Sequence, residues 1–225
     1  MEENKISIQK LIDDAIALDN SEPRTPSGKF NPSYLGQCHR KHFWKRKGAE
    51  PDTQPDARSF RVFECGHLFE HFVCQHIPAM QKQVVIETDD FKGFADIVSE
   101  DEVMDVKSIN SKAFWWMDKD TYDITVEKRH NILQVIFYAK ELKKPKARLV
   151  FVSKDDLCIR EYGFFVEKWE SVLAEELKKL RQAWAEDRLP DAEPQAGWEC
   201  RYCNFSAKCK QAGGKVWEKT VDKKP

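Results

Sequence analysis

With 225 residues the chain is long enough to bury a sizeable core, and 41% hydrophobic, 12% aromatic and 33% charged residues place it among globular rather than disordered proteins. Lysine plus arginine number 37 against 38 aspartate plus glutamate, a formal charge of -1, so any nucleic-acid surface has to be local. No apolar run approaches the roughly 20 residues that span a bilayer, and Met1 to Asn4 lacks the charge and apolar core of a signal peptide, so a soluble, cytoplasmic or otherwise intracellular protein is expected, with no membrane partner.

Apolar residues at Ile6, Ile8, Leu11, Ile12, Ala15 and Leu18 predict a first helix, followed by a polar, proline-containing linker or mobile loop from Asn20 to Asn31. Pro32 to Gly48 reads as a second helix, capped by Ser33 and ended by Gly48, with Cys38 on it. Its cations Arg40, Lys41, Lys45, Arg46 and Lys47 are interleaved with Phe43 and Trp44. That pattern suits tracking a nucleic-acid backbone, or simply a solvated helix with an aromatic anchor. Arg58 to Ile77 predicts a third helix with Phe60, Phe63, Leu68, Phe69, Phe72 and Val73 as its apolar set and with Gly66, His67, Glu70 and His71 on it. A carboxylate or imidazole there can serve as a ligand or belong to an ordinary polar face.

Val84 to Glu87 starts a sheet, and Phe94 to Val98 and Val103 to Val106 continue it as two strands joined by the acidic turn Ser99 to Glu102. Alternation puts Asp105 and Lys107 on one face of their strand, where Asp96 on the neighbouring strand can meet them. Two carboxylates and an ammonium then share a small space. Carboxylate oxygens are hard ligands suited to Mg²⁺ or Mn²⁺, and a nearby lysine can orient or deprotonate a water.

Phe114, Trp115 and Trp116 follow, suited to core or lid packing or to base stacking. Glu127 to Leu142 predicts a helix with Gln134 and Tyr138 on one face. Arg148 to Ser153 and Leu157 to Phe164 read as two more strands and Glu167 to Glu186 as a long amphipathic helix. Helices, three strands, a helix, two strands and a helix imply an α/β fold, a mixed β-sheet flanked by helices.

The chain has seven cysteines. Cys200, Cys203 and Cys209 form a C-x2-C-x5-C run, which in an intracellular chain points to a soft-metal or cluster site lacking a fourth thiolate. Cys38 is the best candidate for it. Cys65, Cys74 and Cys158 read as buried thiols in apolar settings. A structural Zn²⁺ site, with His39 or His42 as substitute ligands, is the alternative.

The segment Pro32, Ser33, Leu35 and Cys38, the Gly66 to Glu70 helix, Asp96, the Asp105-x-Lys107 strand, the Gln134 to Tyr138 helix and the cysteine triplet occur in this order from about Asn31 to Cys209. Together they resemble the RecB-like exonuclease branch of the PD-(D/E)xK superfamily, and within it the iron–sulfur CRISPR-associated and phage nucleases. The resemblance implies a restriction-endonuclease-like sheet and metal-dependent hydrolysis of DNA. It implies Mg²⁺ or Mn²⁺ held by Glu70, Asp96, Asp105 and the Val106 carbonyl, Lys107 acting on the attacking water, and Gln134 and Tyr138 on a phosphate. It further implies a 4Fe–4S cluster on Cys38, Cys200, Cys203 and Cys209, tying the two ends of the domain together. Many relatives carry His where this chain has Glu70, which leaves His71 as the second choice, and Asp105 stands where Glu is commoner.

The expected organisation is an N-terminal helix and linker (1–30), a nuclease domain (31–212) with cluster segments at 31–48 and 198–209, and a basic tail (213–225). The expected substrate is DNA, single-stranded or with a free end, and the resemblance implies recombination or CRISPR-adaptation proteins as partners and admits a virus-encoded origin. The competing class is a non-cleaving DNA-binding subunit stapled by a cluster or zinc site.

Overall fold

A computed structural model describes residues 7–20, 27–78 and 80–214. Residues 1–6, 21–26 and 215–225 lie outside the described residues, and with them parts of the expected first helix and linker and most of the expected basic tail.

The described residues form a five-stranded mixed sheet in the spatial order of the sequence: β1 (Gln81–Glu87), β2 (Lys92–Val98), β3 (Glu102–Ile109), β4 (Lys146–Ser153) and β5 (Ile159–Phe165). The first three run antiparallel through tight turns, β3 and β4 are parallel, and β5 returns antiparallel to β4. A parallel pair needs a crossover, and helices α4 (Ser111–Trp116), α5 (Ile124–Glu127) and α6 (Arg129–Glu141) supply it. Helix α6 is buried continuously from Ile132 to Ala139, because the sheet covers one side and a 3-10 turn (Pro32–Tyr34) and helix α7 (Glu170–Ala185) cover others. Each large apolar side chain buried there stabilises the fold by about 1.5–3 kcal/mol. The opposite face is packed by α3 (Ala57–His76), with Val73 and Cys74 against Ile97, Met104, Val106, Val150 and Val152.

Helix α1 (Ile8–Asp19) lies on α3 with an Arg61–Asp13 ion pair, but it buries no residue. Residues 21–26 of the expected linker or mobile loop lie outside the described residues, and its described end is anchored: Phe30 is 2% exposed and bridges to Phe91. The helix expected over Pro32 to Gly48 is broken. Asn31, not Ser33, caps the 3-10 turn, and the helix proper, α2 (His39–Arg46), begins after Cys38. The break is at Gly36, whose φ is +72°, and a Cβ there would stand 2.9 Å from Leu133 Cδ1. Gly48 ends α2 at positive φ, as expected. The long helix expected from Glu167 starts as a 3-10 turn (Val166–Trp169) and becomes α-helical only at Glu170. Short helices α8 (Gly197–Arg201) and α9 (Ser206–Gln211) close the described chain.

No helix among the described residues is long and apolar enough to cross a membrane.

Candidate carboxylate site and cysteine pocket

The ladder between β2 and β3 ends at Ile97↔Met104, and one step further the same register sets Asp96 opposite Asp105. There the Val106 amide donates to Asp96 Oδ2 at 2.7 Å instead of to a backbone carbonyl. Met104 and Val106 face α3, so alternation turns Asp105 and Lys107 towards α6. Asp105 is wholly buried, Lys107 Nζ lies 2.6 Å from its Oδ2, and no donor reaches its Oδ1.

Crowding two carboxylates in a buried place raises the cost of ionising both. Burial pushes the Asp96 carboxyl up to about 8, with the Asp105 charge adding to the rise. Burial also raises Asp105, against the pull of Lys107. Burial works against the Lys107 ammonium, but the charges of Asp105 and Asp96 outweigh it and hold lysine above its ordinary range. A buried carboxylate oxygen without a donor, beside a second carboxyl that resists ionisation, is a donor set that a hard divalent cation would satisfy.

From α3, Glu70 lies within the field of Lys107 and Asp105, and burial raises its carboxyl. Its Oε1 accepts from the Gln83 side-chain amide. His71, the alternative ligand, is on the exposed side of the helix. From α6, Gln134 Nε2 stands 3.4 Å from the Tyr138 hydroxyl, and burial holds that hydroxyl up at about 12, so it stays a donor. Among the described residues, no group of three or more His, Cys, Asp or Glu side chains is gathered closely enough to hold a metal ion. Asp96 and Asp105 converge, while Glu70 is engaged by Gln83.

The four cysteines of the expected cluster line one small pocket between α2 and the α8–α9 segment. All are free thiols. Burial pushes the Cys38 thiol up, partly offset by the Lys41 and Arg40 amides, and burial raises Cys203 as well. The four line the pocket without being gathered as closely as metal ligands are; deprotonated thiols are the soft ligands that soft metals and iron–sulfur clusters take. Neither expected zinc substitute lines this pocket: His42 is buried with Nε2 on the Tyr34 carbonyl and His39 pairs with Glu176 at 2.7 Å. Of the expected buried thiols only Cys74 is buried, whereas Cys158 is exposed in the turn before β5.

This chain is similar in fold to SSO0001. The crystal structure of that protein aligns at a TM-score of 0.59 and 18% identity over 91% of this chain and 96% of its own. An alkaline exonuclease from Laribacter hongkongensis, solved also in complex with dAMP, aligns at a TM-score of 0.47 and 12% identity over 70% of this chain and 90% of its own. A phage related exonuclease from Haemophilus somnus 129PT aligns at 0.45 and 12% over 70% of this chain and 96% of its own. No protein-family model and no curated protein matches the chain.

The basic helix is less open than its sequence suggests. Arg40 is 6% exposed and donates to the Pro190 carbonyl at 2.7 Å and the Ala212 carbonyl at 3.3 Å. The Arg46 guanidinium is tucked over Phe30 and Trp184 and paired with Asp90 at 3.3 Å. Lys47 is exposed but paired with Asp187. Of the five expected DNA contacts, Lys41 and Lys45 are the two left without a carboxylate partner and outside the core, both over the Tyr34 ring.

Three positions that carry the site were not singled out from sequence. Gly93 has no room for a Cβ, which would meet the Tyr138 hydroxyl at 2.7 Å and Pro32 Cδ at 3.0 Å. A glycine inside a strand is the signal that could have marked it. Gln83, the partner of Glu70, gives no such signal. Glu199, almost wholly buried, accepts the Cys38 amide at 2.8 Å and the Gln195 amide at 2.7 Å, and so fastens α2 to α8.

Proposed function

We propose that the chain is a metal-dependent deoxyribonuclease of the RecB-like PD-(D/E)xK kind, hydrolysing DNA phosphodiester bonds and carrying a 4Fe–4S cluster. The observation that carries this reading is the buried Asp105 carboxylate, with an oxygen lacking any donor, beside Asp96 and held by Lys107. A hairpin serving only the fold has no reason to bury two carboxyls at mutual cost.

Asp96 and Asp105 would hold Mg²⁺ or Mn²⁺, with Glu70 and the Val106 carbonyl completing the set once Glu70 is released from Gln83. When bound, the cation supplies positive charge against the phosphate and its leaving oxygen. Lys107, kept protonated by its carboxylate neighbours, positions the attacking water and donates to a phosphoryl oxygen as negative charge grows there. The Gln134 amide and the Tyr138 hydroxyl, on the same side of the sheet, hold the phosphate. The new bond joins the water oxygen to phosphorus as the water gives up a proton to solvent, and the bond broken joins phosphorus to the departing sugar oxygen, which takes a proton from solvent.

Cys38, Cys200, Cys203 and Cys209 would hold the cluster, whose role is to staple two segments about 160 residues apart and so limit the entropy of that loop. The test is incubation of the purified chain with end-labelled single-stranded and duplex DNA in Mg²⁺ or Mn²⁺. Shortened products that vanish in chelator are expected. Intact DNA under every condition replaces the reading with a non-cleaving DNA-binding subunit.

A further inference from the structure

A groove of about 860 Å³ runs between α2, the start of α3 and the α8–α9 turn, apart from the carboxylates and adjoining the cysteine pocket, with which it shares Lys41 and Cys203. Four cations line it: Lys41 and Lys45 on one wall, Arg58 and Arg201 elsewhere along it. Among the described residues none of the four lies within ion-pair distance of a carboxylate, whereas Arg46, Arg61, Arg148, Arg160, Arg181 and Arg188 all do. The groove's own acid, Asp56, is occupied in capping α3 through the Ser59 amide and hydroxyl.

Aromatic rings stand among these cations. Tyr34 is a pedestal, with Lys41 at 4.9 Å and Lys45 at 4.4 Å from its ring centre. Phe63, edge-on to Phe60, is 52% exposed and Tyr202 is 71% exposed, so both present ring surface to the groove. Cations without carboxylate partners, spaced by exposed rings, match a strand of alternating phosphates and unstacked bases. An acidic peptide would use the cations and leave the rings idle, and a duplex hides its base faces.

We infer that this groove binds single-stranded nucleic acid, with Tyr202 and Phe63 stacking on bases and Lys41, Lys45, Arg58 and Arg201 holding phosphates. The inference rests on the nuclease reading for its direction only: the 3-10 turn that carries Tyr34 also carries Pro32, which abuts Gly93 and Tyr138 at the carboxylate site. A strand lying in the groove therefore leads towards the carboxylates. Arg201 and Tyr202 fall between Cys200 and Cys203, so the cysteine pocket sets the position of one groove wall.

The experiment is fluorescence anisotropy with the full chain in chelator, using labelled oligothymidylate, a duplex of equal length and polyglutamate as probes. Tyr202→Ala should weaken oligothymidylate binding about tenfold while Tyr202→Phe restores it. Arg58→Ala with Arg201→Ala should lower the salt slope by about 0.7 for each phosphate no longer neutralised. Binding by either set of variants equal to that of the parent overturns the proposal, as does polyglutamate binding as tight as that of oligothymidylate or equal losses on the duplex. DNA cleavage by the parent together with unaffected groove variants removes the groove alone. Groove-dependent binding without any cleavage by the parent removes the nuclease reading alone.

Discussion

Asp96 Oδ2 accepts the backbone amide of Val106 at 2.7 Å, so a side chain of β2 takes over a hydrogen bond just where the β2–β3 ladder stops. The carboxyl is thereby fixed beside Asp105. With a folded value of about 8 against an ordinary 3.8, Asp96 is protonated in the metal-free fold where the unfolded chain has lost its proton. The stability this confers is complete below about 3.8 and is lost as pH rises through about 8. In chelator, the thermal midpoint of the parent should therefore fall between about pH 6 and about pH 9. Asp96→Asn keeps an acceptor for Val106 and should flatten that fall, and it should lose the Mn²⁺-induced rise in midpoint that the parent shows. Parallel pH profiles for the two proteins would contradict the crowded-carboxylate account.

His42 gives the opposite sign at acid pH. Burial holds it down at about 3, with its Nε2 at the Tyr34 carbonyl, so the fold keeps it neutral while the unfolded chain protonates it near 6.5. Its contribution is present above 6.5 and lost as pH falls through about 3. In the Asp96→Asn background, where the opposing Asp96 contribution is absent, a thermal midpoint that drops between about pH 6.5 and about pH 4, with a smaller drop when His42→Gln is added, is the expected result. An unchanged drop assigns the acid sensitivity elsewhere.

The mixed, helix-flanked sheet was legible in the succession of elements, and the nearness of Asp105 to Lys107 on one face of a strand in alternation within a short stretch. What sequence did not disclose depends on partners far along the chain. Arg40 reads as one more cation of a basic helix, but carbonyls at Pro190 and Ala212 take it into the interior. Glu199 carries no signal in the sequence, yet it is a buried acceptor for Cys38, 161 residues away. The break at Gly36 is set by the close approach of Leu133 and His130. Likewise Leu68 reads as part of an apolar face, yet it is exposed because α3 offers only its last turns to the sheet.

Glu199 should stabilise the closure of the domain with or without a cluster. Glu199→Ala leaves the amides of Cys38, Gln195 and Ala196 without their acceptor. A loss of about 3 kcal/mol in chemical unfolding is expected from charged hydrogen bonds of this kind. A loss under about 0.5 kcal/mol, the scale of an ordinary surface substitution, would show that Glu199 does not hold the segments together.

The cysteine pocket carries its own expectation. Anaerobically purified protein should be brown, with roughly four iron and four sulfide per chain. Cys38→Ala should bleach it and lower the thermal midpoint, whereas Cys158→Ala, at an exposed turn, should do neither. Colourless protein with one equivalent of zinc would replace the cluster with a zinc site while leaving the carboxylates untouched.

Whether Asp105 and Lys107 form a hydrolytic centre is decided by single-turnover cleavage of labelled DNA in saturating Mn²⁺ by the parent, Asp105→Asn and Lys107→Ala. Lys107→Ala should cut at least about a hundredfold more slowly than the parent, the scale of losing one donor to developing charge, and Asp105→Asn should not cut at all. Each should keep the circular dichroism of the parent. Cleavage by folded Lys107→Ala or Asp105→Asn at the rate of the parent would contradict the account.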